Sequence, residues 1–114
     1  MIDSHCHLFF DSLRDKIPKI INNAKEKNIS SILSINTKME DFDLHYKLIE
    51  KYQSVFLSCG QHPETINNNN ITTTKKIVTL CNNSKVIAIG ETGIDLYHSN
   101  ENIKYQYECF ENHI

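Results

Sequence analysis

The chain has 114 residues, a hydrophobic fraction of 39%, a charged fraction of 23% and a formal net charge of −2. This length predicts a single domain, residues 1–114, and the composition excludes an intrinsically disordered chain. The near-neutral charge gives no electrostatic signature of a nucleic-acid-binding or membrane-binding surface. No segment approaches the roughly 18 consecutive apolar residues of a membrane span, and the N-terminus lacks the basic and apolar regions of a signal peptide. We therefore expect a cytoplasmic location.

Short apolar segments that predict β-strands alternate along the chain with segments whose apolar residues recur at helical spacing. The four predicted strands lie at residues 1–5, 29–35, 55–60 and 86–90. The four predicted helices carry their apolar stripes over residues 13–24, 42–52, 77–81 and 103–114. Strict alternation of this kind predicts an α/β fold built from parallel βα units.

Capping residues predict where three of these helices begin. Asp15 is the expected N-cap of the first helix, which places Pro18 in the first turn, where proline is tolerated. Thr37 and Glu40 have the spacing of a capping box and predict the start of the second helix. A threonine in the run 72–74 is expected to cap the third helix.

The predicted strand at 86–90 is apolar throughout, which is typical of strands that are buried on both faces of a parallel sheet. Both an open doubly wound sheet and a (β/α)8 barrel fit the order of elements. No G-x-G-x-x-G pattern follows the first strand, so a dinucleotide-binding fold has no support.

Side chains with metal-binding or acid–base chemistry follow three of the predicted strands. His5 and His7 end the first strand, His62 follows the third, and Glu91 and Asp95 follow the fourth. Ligands of parallel α/β folds bind at the carboxyl ends of the strands. We therefore expect these side chains to share one site. His98 and His113 have no such context.

The pair His5 and His7 is spaced for joint metal binding. Residues two apart on an extended chain point to the same side, and neutral imidazoles bind zinc, iron and manganese. The alternative is a pair of polar residues at an exposed strand end. The position of the pair directly after the first strand, beside Asp3, favours the metal site.

The other candidates have alternatives too. Glu91 lies between Gly90 and Gly93, and its carboxylate is either a metal ligand, able to bridge two ions, or a helix cap or solvated loop residue. His62 is a candidate for binding substrate or for orienting a metal ligand, and a purely structural role is the alternative. Asp95 either caps the following helix, or contacts the substrate or a metal ligand.

Three motifs together resemble the TatD family of metal-dependent hydrolases, many of which are described as deoxyribonucleases. The motifs are IDSHCHL at 2–8, GQHP at 60–63 and AIGETGIDLY at 88–97. The step from Gln106 to Phe110 in the last helix also fits, and the resemblance covers essentially the whole chain. The first motif is shared with other amidohydrolase-type barrels, whereas the combination is much more specific.

The resemblance implies the first half of a TIM-type (β/α)8 barrel with one or two divalent metal ions. It assigns His5, His7 and Glu91 as metal ligands and Glu91 as the catalytic residue of this chain. The implied reaction is attack of a metal-activated water on the phosphorus of a DNA phosphodiester or a small phosphodiester. Zinc, magnesium and manganese are not distinguishable. No membrane and no obligate protein partner is expected.

The chain departs from the family in two respects. Phe9 stands where the family usually has an acidic or amide residue, and Asp11 is the nearest such residue. The chain has four βα units, whereas a TIM barrel typically needs about 250 residues. The later ligands of the family, two histidines and an aspartate, have no counterparts here. We therefore expect an incomplete domain that is inactive alone; a half-barrel that self-associates through its open edge strands is the alternative.

Two other functions remain open. One is a different amidohydrolase-type or phosphoesterase barrel, in which the order of the later ligands would differ. The other is a non-catalytic remnant or interaction module, which would bind metal weakly or not at all.

Overall fold

A computed structural model describes residues 1–97 and 100–114, so that His98 lies outside the described residues. The strands are β1 (Ile2–Cys6), β2 (Ser31–Ser34), β3 (Val55–Cys59) and β4 (Val86–Ile89). The helices are α1 (Asp11–Arg14), α2 (Ile17–Glu26), α3 (Phe42–Ile49), α4 (Thr74–Cys81) and α5 (Ile103–Glu111), with a short 3-10 helix, Pro63–Thr65, after β3. All strand pairs are parallel and the order is β1-β2-β3-β4. The predicted α/β fold of parallel βα units is confirmed.

The hydrophobic core lies between the sheet and the helices. Alternate residues of a strand point to the same face, and in β2 and β3 this face carries Ile32, Val55 and Leu57. The helices contribute the apolar residues of their inner stripes, Ile17, Phe42, Ile49 and Ile77. Burying each large side chain of this kind contributes about 1.5–3 kcal/mol, so the core fixes the helices against one face of the sheet.

The first predicted helix is two helices. Asp15 follows α1 as its C-terminal flanking residue, and α2 begins at Ile17 after Lys16, so the predicted N-cap at Asp15 is wrong. Pro18 does lie in the first turn of α2. Because proline has no N–H to donate, it belongs in the first turn, and this sets the start of α2 after Asp15.

The predicted capping box does not open α3, which begins at Phe42 after Asp41. The carbonyl oxygen of Thr37 accepts hydrogen bonds from the backbone of His62 and the hydroxyl of Thr65, which tie this segment to the loop after β3. The third cap is confirmed, because the Thr73 hydroxyl accepts a hydrogen bond from the backbone N–H of Lys76.

The prediction that β4 is buried on both faces is wrong. Val86 packs against the core, but Ile87 and Ile89 are 60% and 54% exposed. Helices of the described residues cover only one face of this edge strand. An apolar sequence shows what a strand is able to bury, whereas burial itself depends on what packs against it. Among the described residues, no helix is both long enough and apolar enough to cross a membrane.

Candidate metal centre

Three of the predicted site residues converge at the carboxyl ends of β1 and β4. The Nε2 atoms of His5 and His7 lie 3.2 Å apart. The two carboxylate oxygens of Glu91 lie 3.9 Å from His5 Nε2 and 3.8 Å from His7 Nε2. Because β1 and β4 are the two edges of the sheet, side chains from their carboxyl ends meet only if the sheet is curved.

These three side chains fit a divalent metal ion. Their ligand atoms all lie within 4.8 Å of one another. Four ligands arranged tetrahedrally around zinc at about 2.0–2.1 Å are separated by about 3.3 Å, which is close to the distances in this triangle. Two imidazole nitrogens and a carboxylate oxygen are also a donor set that zinc, manganese and iron accept.

The protonation state of His7 suits it for binding a cation. Burial lowers the pKa of His7; the Glu91 carboxylate raises it, and the imidazoles of His5 and His62 lower it further, with a net decrease. The imidazole is therefore neutral at neutral pH, and a lone pair on a ring nitrogen is free for a cation. Its Nδ1 atom is buried and has no hydrogen-bond partner among the described residues, which leaves Nε2 as the atom that faces the cluster.

His62 approaches the cluster from the loop after β3. Its Nδ1 accepts a hydrogen bond from the backbone N–H of Glu64 at 3.2 Å, and its Nε2 lies 4.0 Å from a carboxylate oxygen of Glu91. In the neutral imidazole this arrangement assigns the proton to Nε2. His62 therefore presents a hydrogen-bond donor on the side that faces Glu91.

Asp95 is not part of the cluster among the described residues. Its carboxylate accepts a hydrogen bond from the backbone N–H of Tyr97 at 2.8 Å. Its backbone N–H and carbonyl bond to the buried side chain of Gln106 at 2.8 and 2.9 Å. These contacts hold the loop after Glu91 against α5, and the expected contact of Asp95 with substrate or with a metal ligand stays a prediction.

Asn36 is a buried residue that the sequence reasoning missed. Its side-chain amide donates to the carbonyl of Gly60 at 3.0 Å, and its own carbonyl accepts from the backbone N–H of Glu91 at 3.3 Å. Its backbone N–H donates to the Ser58 hydroxyl. One residue thus joins the ends of β2 and β3 to Glu91. No local pattern signals this, because the partners lie on other strands.

Gln61 is a second supporting residue without a sequence signal. Its amide nitrogen donates to the carbonyl of Asn70, its amide oxygen accepts from the backbone of Thr72, and its backbone N–H donates to His113 Nε2. Burial lowers the pKa of His113, although its hydrogen bond with the Cys109 carbonyl raises it. The imidazole is therefore neutral and able to accept. These contacts secure the segment that carries His62.

Comparison with known proteins gives concordant results. A family model described as TatD related DNase matches residues 2–114. An uncharacterized metal-dependent hydrolase of Buchnera aphidicola subsp. Baizongia pistaciae is 42% identical over 119 residues, which cover 100% of this chain and 44% of that protein. The uncharacterized metal-dependent hydrolase YcfH of Escherichia coli K12 is 31% identical, with 100% and 43% covered.

A solved structure shares the fold. The crystal structure of YjjV, a TatD homologue from Escherichia coli K12, superposes with a TM-score of 0.84 at 24% identity, over 99% of this chain and 44% of that one. The four parallel strands correspond to the first half of a TIM-type barrel, as predicted. The chain spans less than half the length of the relatives that it matches.

Proposed function

Because this chain belongs to the TatD family, we propose that it forms the His5–His7–Glu91 part of the site of a metal-dependent hydrolase that cleaves phosphodiester bonds of DNA. The observation that supports the proposal is the triangle of two imidazole nitrogens and one carboxylate at the carboxyl ends of β1 and β4. The relatives named uncharacterized metal-dependent hydrolases align with the whole of this chain.

The residues of the chain would divide the work as follows. His5, His7 and Glu91 would hold one or two divalent ions. When bound, such an ion lowers the pKa of water and neutralises charge that develops on phosphoryl oxygens. Glu91 is the catalytic residue of the proposal, since its carboxylate would hold the ion together with His5 and His7. The Nε2–H of His62 is oriented to donate to a phosphate oxygen held beside Glu91.

Hydrolysis is proposed for a protein that also supplies the later ligands which the family resemblance implies, two histidines and an aspartate. The 114-residue chain alone is proposed to bind metal without turnover. The identity of the metal, self-association of the half-barrel and a cytoplasmic location stay predictions from the sequence.

The test is cleavage of a fluorescein-labelled 20-nucleotide DNA strand by a protein that joins residues 1–114 to the later ligands, loaded separately with Zn²⁺, Mn²⁺ or Mg²⁺. We expect cleavage with at least one ion, its loss in chelator, and a decrease in kcat/KM of at least 100-fold in Glu91→Gln. Glu111→Gln, an exposed carboxylate on α5, is the matched control and should cleave as the unmodified protein does. Cleavage of an amide substrate but of no phosphodiester would instead support the amidohydrolase alternative.

A further inference from the structure

A groove opens between the segments that follow β1 and β2, on the same side of the sheet as the metal cluster. Its volume is about 560 Å³. The side chains that line it and carry the argument are Phe9, Phe10, Arg14, Lys38 and Leu44. The function described above uses none of them.

The groove is continuous with the metal cluster through an aromatic contact. The ring of Phe10 stacks on the imidazole of His7, with centroids 4.5 Å apart and an angle of 15° between the planes. Phe10 is nevertheless 51% exposed, so much of the ring remains open to solvent. Beside it, Phe9 stacks on the buried His45, with centroids 4.9 Å apart. Each phenylalanine thus stacks on an imidazole, and the two rings form an aromatic surface beside His7, a proposed metal ligand.

The charges along the groove are nearly balanced. The guanidinium of Arg14 pairs with the carboxylate of Asp11 at 3.1 Å, and Asp41 adds a second carboxylate. Lys38 is exposed, and among the described residues its ammonium group has no ion-pair partner. The groove therefore offers the Lys38 ammonium group and the apolar rings of Phe9 and Phe10 to a ligand. Stacking on these rings, rather than a strong positive potential, has to provide most of the affinity.

We propose that this groove is a nucleotide subsite, in which a base of the substrate strand stacks on Phe10 while a backbone phosphate contacts Lys38. The proposal rests on the proposed function and adds to it a positioning surface that contacts a base of the strand, not the scissile phosphate. Aromatic side chains next to a cation are the usual means of holding an unpaired base without sequence preference. The continuity of Phe10 with His7 places the neighbouring phosphate of that nucleotide towards the metal cluster.

The experiment compares two fluorescein-labelled probes on the protein used in the cleavage test, in chelator, where no cleavage is expected. One probe is a strand of ten thymidine nucleotides, and the other is a strand of equal length in which every base is absent. We expect the base-containing strand to bind about tenfold more tightly, which is within the range that a stacked base contributes. Phe10→Leu should abolish this difference, and Phe10→Tyr should keep it.

Tyr107→Leu is the matched control, because Tyr107 is a similarly exposed aromatic residue on α5, outside the groove. It should leave the affinity for both probes unchanged. Lys38→Gln should weaken the binding of both probes equally and reduce its salt dependence, since one phosphate contact changes the logarithm of affinity by about 0.7 per tenfold change in salt. Phe10 touches His7, so an indirect effect of Phe10→Leu on metal binding has to be checked. Calorimetry with Mn²⁺ should show that this substitution changes the metal affinity less than twofold.

Equal affinity of the unmodified protein for the two probes, or an undiminished difference in Phe10→Leu, would overturn the subsite. Either result would leave the proposed hydrolase intact if the labelled DNA is still cleaved. Conversely, failure of the metal-loaded protein to cleave any phosphodiester would remove the proposed function, whatever the two probes show.

Discussion

Gly60 and Gly90 lie in direct backbone contact where β3 and β4 end. A Cβ atom added to Gly60 would lie 2.2 Å from the carbonyl carbon of Gly90, and the backbone N–H of Gly90 donates to the carbonyl of Cys59 at 2.9 Å. The segments that follow these glycines carry His62 and Glu91. The absence of a side chain at Gly60 therefore determines how closely the two segments approach.

Gly60→Ala should disturb both stability and the metal cluster. The added methyl group would overlap the backbone of Gly90, which is unable to move aside as the end of a flexible side chain would. We expect a decrease of about 1–3 kcal/mol in the free energy of unfolding and a weaker affinity for divalent metal. Urea unfolding and calorimetric titration with Zn²⁺ measure the two effects. Unchanged values in both would show that the β3 and β4 ends adjust without cost.

Glu91→Gln should weaken metal binding, because it removes the only carboxylate of the cluster among the described residues. We expect the dissociation constant for Zn²⁺ to increase at least tenfold in calorimetric titrations at pH 7. The increase in thermal midpoint on adding Zn²⁺ should shrink accordingly, since a ligand at free concentration c stabilises the folded state by RT ln(1 + c/Kd).

The matched control for this prediction is Glu111→Gln, which removes an equal charge from the exposed end of α5. Its affinity for Zn²⁺ should equal that of the unmodified chain. An equal loss in both variants would mean that net charge, and not ligation by Glu91, governs the binding.

The buried pair Ser34 and His45 predicts a dependence of stability on pH. The Ser34 hydroxyl lies 2.7 Å from His45 Nε2. Burial, together with the smaller effect of the neighbouring His7, lowers the pKa of His45 to about 4. Between that value and the ordinary pKa of about 6.5, the unfolded chain binds a proton that the folded chain does not. The contribution of His45 to the free energy of unfolding is therefore fully present above pH 6.5, and about 3 kcal/mol of it is lost as the pH falls to 4.

Urea unfolding between pH 4.5 and 7.5 measures this dependence, with His45→Leu for comparison. His7 and His113 also have lowered pKa values and contribute in the same direction, so the difference in slope between the two proteins isolates His45. We expect a shallower slope in His45→Leu. Identical slopes would mean that His45 titrates in the folded state as it does in the unfolded chain.

Gln106→Leu should release the loop after Glu91 from α5. The Gln106 side chain bonds to both the backbone N–H and the carbonyl of Asp95, and also to Asn102. The substitution would leave these partly buried groups unpaired and cost about 1–3 kcal/mol. Faster hydrogen exchange at the Asp95 amide is the specific readout. Gln53→Leu, at an exposed position, is the matched control and should change neither quantity measurably.

The order of the elements and the convergence of His5, His7 and Glu91 could be predicted because both follow from local patterns. Apolar periodicity distinguishes strands from helices within a few residues, and alternation of the two predicts a parallel sheet. In such a sheet the carboxyl ends of the strands lie on one side, so that His5, His7 and Glu91 could be placed together without knowledge of their distances.

Other features depend on residues that are distant in the sequence, and only the tertiary structure decided them. Asp15 is a plausible cap by type, but the position of Pro18 and the packing of α2 determine where the helix begins. Thr37 uses its carbonyl to hold the loop after β3, and Asn36 joins the ends of β2 and β3 to Glu91. Hydrogen bonds of this kind leave no periodic trace in the sequence.

The exposure of Ile87 and Ile89 and the stacking of Phe10 on His7 were also decided only by the tertiary structure. The sequence by itself determined which strands form and which histidine and carboxylate side chains lie at their ends, because these properties depend on neighbours along the chain. The tertiary structure decided which faces are covered and which rings touch, because burial and stacking depend on how the sheet curls and on the segments that its curvature brings together.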